Sequence, residues 1–345
     1  MSMTRTKQPF RLANYISLLL LIAMLIIGAL LSDRFLQAKN IMNILQYSTE
    51  AGIIAVGMMF VILTRGIDLS VGSVMGIGNV TVAMMLAAGY SEWFSITAAV
   101  AVGAAIGLIN GILISKGKVE PIIATLVTMV CGRSIIYFMT QGAPLFEGIS
   151  DEFKVISQGS VGGIPNTVLY LILAFVVAYI ILEQTLYGRR IYAVGGSEET
   201  SKLFGIETDR VKTSVYTVSG VLAAIAGVIS SSRLGIGDPN AGIGYEMIAI
   251  TMVVVGGVSL AGGKGSVGGV FTGVLIISVI GNLLQLNNVS THFQGVVLGT
   301  IIIVIMLLLA REDTKAKRGG AQKEHEQAVG VEHQSRNLQS NANKV

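Results

Sequence analysis

YGRRIYAVGGSEETSKLFGI, residues 187–206, is the longest polar interruption that reads as a folded unit in a chain of 345 residues, 52% of them hydrophobic and 13% charged. On either side lie apolar runs, 165–184 and 213–232. Each has about the 20 residues that cross about 30 Å of hydrocarbon as a helix. The island therefore joins two membrane-crossing helices, and the fold class is all-α, a polytopic helical membrane protein. Inside the island Ser197 suits an N-cap, Glu198 and Glu199 fall in a first turn where carboxylates favour the helix dipole, and Gly205 suits a left-handed C-terminal cap. These signals predict a helix of about two turns. Leu203, Phe204 and Ile206 then form an apolar edge too large for so short a helix to bury, beside Lys202, Arg189 and Arg190. Such an edge belongs either in a partner's groove or against the protein's own membrane domain.

Further apolar runs extend the pattern in both directions. With the two flanking runs, spans are expected near 12–31, 42–63, 70–88, 94–115, 121–140, 243–261, 266–286 and 294–310, ten in all. An even number puts both termini on one side. Basic residues test the scheme: nineteen of the 24 Lys and Arg fall on the side of the termini, whereas Arg34, Lys39, Lys154 and Arg233 fall on the other and Arg133 within a span. That asymmetry predicts cytoplasmic termini. Residues 1–11 are then a short basic cytoplasmic segment, 12–310 the membrane domain with its cytoplasmic loop at 187–212, and 311–345 a polar tail with too few large apolar side chains to order itself.

Mean hydropathy is +0.71, more than a soluble domain needs. The 42 glycines suit helices that approach closely through small side chains. Cys131 is the lone cysteine, which excludes an internal disulfide or a cysteine zinc cluster. His292 falls in a short loop and His325 and His333 in the tail, a poor basis for a metal site. The basic residues follow membrane topology, so the pI near 9.1 does not argue for nucleic acid.

TRGIDLSVGS, 64–73, sets Arg65 and Asp68 among glycines in an apolar region. A charge at mid-membrane costs about 2.5–3.5 kcal/mol on insertion scales. Asp68 is therefore either part of a broken element beside a transport pathway, or the cap of the next helix in a cytoplasmic turn. GGVSLAGGKGSVGG, 256–269, fails as a phosphate loop because Gly265 follows Lys264 and Val258 stands where the motif needs glycine. GIDLSVGSV and GGKGSVGGV hint at an internal repeat. Glu246 and Arg133 either line a pathway or pair with a backbone carbonyl, a neighbouring helix or the interface. Asn79, Asn110, Thr125, Thr128, Asn282 and Gln285 offer hydrogen bonds to a hydroxylated solute or between helices. There is no Ser/His/Asp constellation or carboxylate pair for an enzyme.

TRGIDLSVGSV (64–74), GLINGILI (107–114), PIIATLVTM (121–129), YGRRIYAVGGSEETSKLFGI (187–206) and GYEMIAITMVVVGGVSLAGGKGSVGG (244–269) together resemble the membrane permease subunits of ATP-binding-cassette importers for ribose and related monosaccharides. They occur in that family's order and cover most of residues 40–310. Autoinducer permeases are similar around LTRGIDLSVGS and LAAGYS, which leaves a sugar or an autoinducer as the solute. The resemblance implies a ten-helix permease of the bacterial inner membrane that moves a monosaccharide or a small polyol-like solute and performs no chemistry. Its implied partners are a second permease copy or paralogue, a cytoplasmic ATPase carrying the ATP and Mg, and a periplasmic or lipid-anchored binding protein, within membrane lipid. No cofactor is implied on this chain.

The same resemblance makes Gly195, Gly196, Ser197, Glu198 and Glu199, with Lys202, Leu203, Phe204, Gly205 and Ile206, the element that docks on the ATPase. Candidates for the pathway are Asp68, Ser70, Ser73 and Asn79, with Asn110, Thr125, Glu246 and Asn282. The rival reading is an ion-coupled secondary transporter with Asp68 or Glu246 as coupling carboxylate.

Overall fold

The computed structural model describes residues 12–290 and scattered positions from there to 303. The expected segment 1–11, most of the span 294–310, and the tail 311–345 lie outside the described residues. From residue 12 to residue 288 the chain forms one compact unit.

In chain order the helices begin with α1 (Leu12–Leu31), α2 (Ala38–Leu63), α3 (Val71–Ala87), α4 (Glu92–Ser115) and α5 (Pro121–Thr140). A short α6 (Asp151–Gln158) and a hairpin of β1 (Ser160–Val161) and β2 (Ile164–Pro165) follow, with Val161 paired to Ile164. Then come α7 (Asn166–Tyr179), continued by a π-helical turn (Ile180–Gln184), α8 (Leu186–Gly196), α9 (Glu198–Leu203) and α10 (Thr208–Leu234). The series closes with α11 (Tyr245–Val255) and α12 (Val267–Leu286). Eight of the expected spans thus coincide with helices, and a ninth, 243–261, does so in part. Six are long and apolar enough to cross a membrane, namely α2, α4, α5, α7 with its π-turn, α10 and α12, while most of α1, all of α3 and all of α11 are shorter apolar helices. The polytopic all-α expectation holds.

The most apolar stretch of α2 is 83% buried against 22% for that of α5, so α2 is the centre of the bundle and α5 lies on its outside. The most extensive crossing is α4 on α10. Gly103, Gly107 and Gly111 recur every fourth residue on α4, the spacing that puts small residues on one helix face. A Cβ at Gly107 would lie 2.3 Å from the Tyr216 carbonyl oxygen, and one at Gly220 2.3 Å from the Gly103 carbonyl oxygen. Close backbone approach, rather than interlocking of large side chains, holds these two helices together.

The expected helix over 243–261 is the element that differs most. Only Tyr245–Val255 is helical, about 16 Å at 1.5 Å per residue and roughly half a bilayer. The other half of the crossing is non-helical. Gly237 packs on Ala83, the Asp238 N–H donates to Asn79 Oδ1 at 2.7 Å, and Ala241 and Gly242 lie on Gly76 and Gly72. Residues 237–242 therefore run along α3 in the opposite direction. Arg133 of α5 donates to the carbonyls of Pro239 at 3.2 Å and Ala241 at 2.9 Å, satisfying groups that a helix would have paired internally, and to the Gly72 carbonyl of α3 at 3.2 Å. Arg133 thus pairs with backbone carbonyls, one of the two roles its sequence left open.

Candidate functional site

The loop helix forms as its sequence predicts. Ser197 Oγ accepts from the Thr200 N–H at 3.2 Å, and Gly205 ends α9 at φ +75°, with the Ile206 N–H on the Ser201 carbonyl at 3.0 Å. Glu198 accepts from Lys202 at 2.8 Å and from Lys212 of α10, tying α9 to the start of the long helix. Partial burial pushes the Glu198 carboxyl up, but the hydrogen bonds and charges of Lys202 and Lys212 outweigh it and hold it down at about 2. The same Glu198 pushes the Lys202 ammonium up. Glu199 is exposed and Ile206 half-buried. Leu203 and Phe204 are 87% and 82% exposed, so the apolar edge is not packed on the bundle.

Beneath α9 is a rigid seat. Arg65, at the left-handed φ of +66° where α2 ends, donates from Nε to the Gly195 carbonyl at 2.7 Å and from Nη2 to the Gly196 carbonyl. The Gly263 N–H donates to the Leu63 carbonyl at 2.9 Å, and the Tyr192 hydroxyl donates to the Gly265 carbonyl at 3.1 Å. Three segments meet here: the α2–α3 turn, the end of α8, and the Gly-rich turn before α12. A Cβ on Gly195 would lie 1.7 Å from the Leu63 carbonyl oxygen, so only glycine permits this approach. The two Gly-rich segments with similar sequences are thus two faces of one seat.

Three residues beyond Arg65, Asp68 is 1% exposed and anchors a polar network. Its Oδ1 accepts from the Ser70 N–H at 3.0 Å and the Ser70 hydroxyl at 2.5 Å, and its Oδ2 accepts from Ser219 of α10 at 2.8 Å. Asn110 of α4 donates to Ser70 Oγ at 3.0 Å and accepts from Thr128 of α5 at 2.6 Å. Thr125 accepts the Leu69 N–H at 3.1 Å, and Ser73 donates to the Ser70 carbonyl at 2.9 Å. Asp68, Ser70, Ser73, Asn110 and Thr125 are thus brought together, joining α3, α4, α5 and α10. Asn79 lies apart, under residue 238. Glu246, at the start of α11, is half-buried with its carboxylate near Gly72.

At the far end of α10, about 30 Å from Lys212 along the helix, lies a cavity of about 590 Å³ between α2, α6, α10 and α12. Polar side chains reach it from one face of α2 (Asn40, Asn43, Tyr47) and one face of α12 (Ser278, Asn282, Gln285). Asn40 and Asn282 pair through both amides, at 3.0 and 2.9 Å. Arg233 also lines the cavity and donates to Glu50 Oε1 at 2.8 Å, while Tyr245 donates to Glu50 Oε2 at 3.2 Å. Of the eight pathway candidates read from sequence, Asn282 alone lines this cavity. The others missing from that reading, Asn40, Asn43, Gln46 and Tyr47, carried a signal: polar residues three or four apart through the first turns of an apolar helix. Among the described residues no group of three or more His, Cys, Asp or Glu could hold a metal ion.

A bundle of apolar helices with a discontinuous crossing, an exposed loop helix on a rigid seat and a polar cavity at the opposite end defines a membrane permease. Consistent with that, the chain belongs to the family described as the permease component of branched-chain amino acid transport systems, which matches residues 40–306. It is 42% identical to the ribose import permease protein RbsC of Haemophilus influenzae over 297 residues, 85% of this chain and 91% of that protein. It is 42% identical to the RbsC of Bacillus subtilis over 299 residues, 86% of this chain and 92% of that one. The D-allose transport system permease protein AlsC of Escherichia coli is 35% identical over 308 residues, 88% of this chain and 94% of its own length. No solved structure matches the chain.

Proposed function

We propose that this chain is the membrane-spanning subunit of an importer for a monosaccharide, a ribose-like pentose or a related hexose, driven by ATP hydrolysis on a separate cytoplasmic ATPase. The observation that carries the reading is α9: a capped helix presenting Leu203 and Phe204, 87% and 82% exposed, on a seat tied directly into the bundle. Two such side chains in water contribute nothing to the fold, whereas in a partner's groove each would contribute about 1.5–3 kcal/mol of burial. The relatives named for ribose and allose supply the solute class. The excess of Lys and Arg on the α9 side supports a cytoplasmic position for that side and for both termini.

The seat also supplies a route for coupling. Arg65 grips the end of α8, and Asp68, in the same turn, grips Ser219 of α10 and through Ser70 reaches Asn110 and Thr128. A shift of α9 by the ATPase is passed to α3, α4 and α10 as a unit, because these groups are hydrogen-bonded rather than merely adjacent. ATP and Mg stay with the partner; this chain holds no cofactor. A second permease copy or paralogue and an external binding protein complete the importer.

Uptake of labelled ribose, allose and arabinose in cells expressing the complete importer tests this reading. Uptake is expected to stop on ATP depletion and to survive a protonophore while ATP is maintained. Uptake that collapses with the protonophore and survives ATP depletion would instead identify an ion-coupled carrier.

A further inference from the structure

The cavity at the far end of α10 takes no part in the α9 seat or the Asp68 network. We infer that it is a binding station for an uncharged, polyhydroxylated solute of monosaccharide size, met by Asn43, Gln46, Tyr47 and Gln285. The inference rests on the proposed import function and adds to it the side chains that meet the solute.

Size comes first. A cavity of about 590 Å³ falls within the roughly 300–1,000 Å³ of small-molecule sites. Its hydrogen-bonding capacity comes next. Among the described residues the side-chain amides of Asn43, Gln46 and Gln285 have no hydrogen-bond partner, although Asn40 and Asn282 beside them are mutually satisfied. A carboxamide offers two donors and an acceptor, which matches hydroxyls that both donate and accept. Tyr47, 59% exposed, adds an aromatic face for the C–H side of a sugar ring.

Charge decides between solute classes. Among the described residues lining the cavity Arg233 is the one charged side chain, and Glu50 engages it at 2.8 Å. Both oxygens of Glu50 are in use, one by Arg233 and the other by Tyr245. An amino acid would need a free carboxylate for its ammonium and a free cation for its carboxylate, and a phosphorylated sugar would need at least the cation. Glu50 already balances the charge of Arg233, so the cavity holds no net charge to offset that of an ionic solute, whereas a neutral solute enters without disturbing the partly buried ion pair. This separates the chain from amino acid carriage, which the family's description alone does not.

The test is uptake by the complete importer, with labelled ribose, allose and arabinose as probes and unlabelled L-leucine and ribose 5-phosphate as competitors. The three amides have no partner within the described chain, so Asn43→Ala, Gln46→Ala and Gln285→Ala break no bond of the fold. Membrane abundance and ATPase co-purification of the triple variant are expected to match wild type. Its maximal uptake rate is expected to fall about ten-fold or more, while KM, set by the external binding protein, stays within about two-fold. Neither competitor is expected to slow wild-type uptake. A triple variant within about two-fold of the wild-type maximal rate would overturn the inference while leaving the importer reading intact. Competition accompanied by uptake of labelled leucine or ribose 5-phosphate itself would overturn the neutral-solute assignment. Failure of the wild type to take up any of the three sugars would refute the proposed function, and this inference with it.

Discussion

Arg65→Ala removes the two bonds that hold the end of α8 to the α2–α3 turn, from Nε to the Gly195 carbonyl at 2.7 Å and from Nη2 to the Gly196 carbonyl. Hydrogen bonds to a charged partner contribute about 1.5–3 kcal/mol each, and because the Gly196 contact is exposed the pair is worth about 2 kcal/mol. A loss of that size raises the population of locally open α9 roughly thirty-fold. Hydrogen exchange followed by mass spectrometry reads this directly: the peptide over 195–206 is expected to exchange about thirty-fold faster, with peptides of the α4–α10 crossing unchanged. Arg65→Gly separates side chain from backbone, because Arg65 sits at φ +66°. The glycine variant loses the same bonds but relieves about 1 kcal/mol of left-handed strain, so its melting temperature is expected above that of Arg65→Ala. Exchange over 195–206 within about three-fold of wild type in Arg65→Ala would refute the idea that this arginine holds the docking helix.

Gly195→Ala is expected to destabilise the protein by about 3 kcal/mol through overpacking, since its Cβ would lie 1.7 Å from the Leu63 carbonyl oxygen, whereas Gly196→Ala meets nothing within 4 Å and is expected to be tolerated; thermal unfolding of both variants checks the contrast. Carboxyl-resolved NMR of Glu198 is expected to give a midpoint of about 2, and one above the usual 4.5 in a variant lacking both Lys202 and Lys212, where only the effect of burial remains. Because the folded value is depressed, the ion pairs stabilise α9 fully above pH 4.5 and lose that contribution as pH falls toward 2. Asp68→Asn places an amide donor among groups that already donate, Ser70 and Ser219, and is expected to cost about 2 kcal/mol in thermal stability; an unchanged melting temperature with lost uptake would instead favour a carboxylate that carries an ion.

Much of the fold was legible because its signals are local. Ser197 and Gly205 cap α9 with atoms at most a few residues away, and apolar runs of membrane-spanning length need no tertiary knowledge. The crossing at 235–255 was not legible. GIGDPNAGIGYE followed by an apolar run reads as a loop and a full span, and what lets the loop lie along α3 is Arg133, 106 and 108 residues from the carbonyls it binds. Asp68 was recognised as exceptional, but whether its carboxylate faces water or hydroxyls depended on Ser219, 151 residues away. The α2 stripe was overlooked for another reason. Asn40, Asn43 and Tyr47 carry no charge, and a neutral amide in an apolar helix signals a cavity only when the facing helix is known.

The central claim is that α9 is the docking element, and co-purification of the full chain with its ATPase tests it most directly. Wild type is expected to recover the complex, while Leu203→Asp and Phe204→Asp, at positions 87% and 82% exposed, are expected to lose it with unchanged thermal stability. Equal recovery of the ATPase by wild type and both variants would contradict the account.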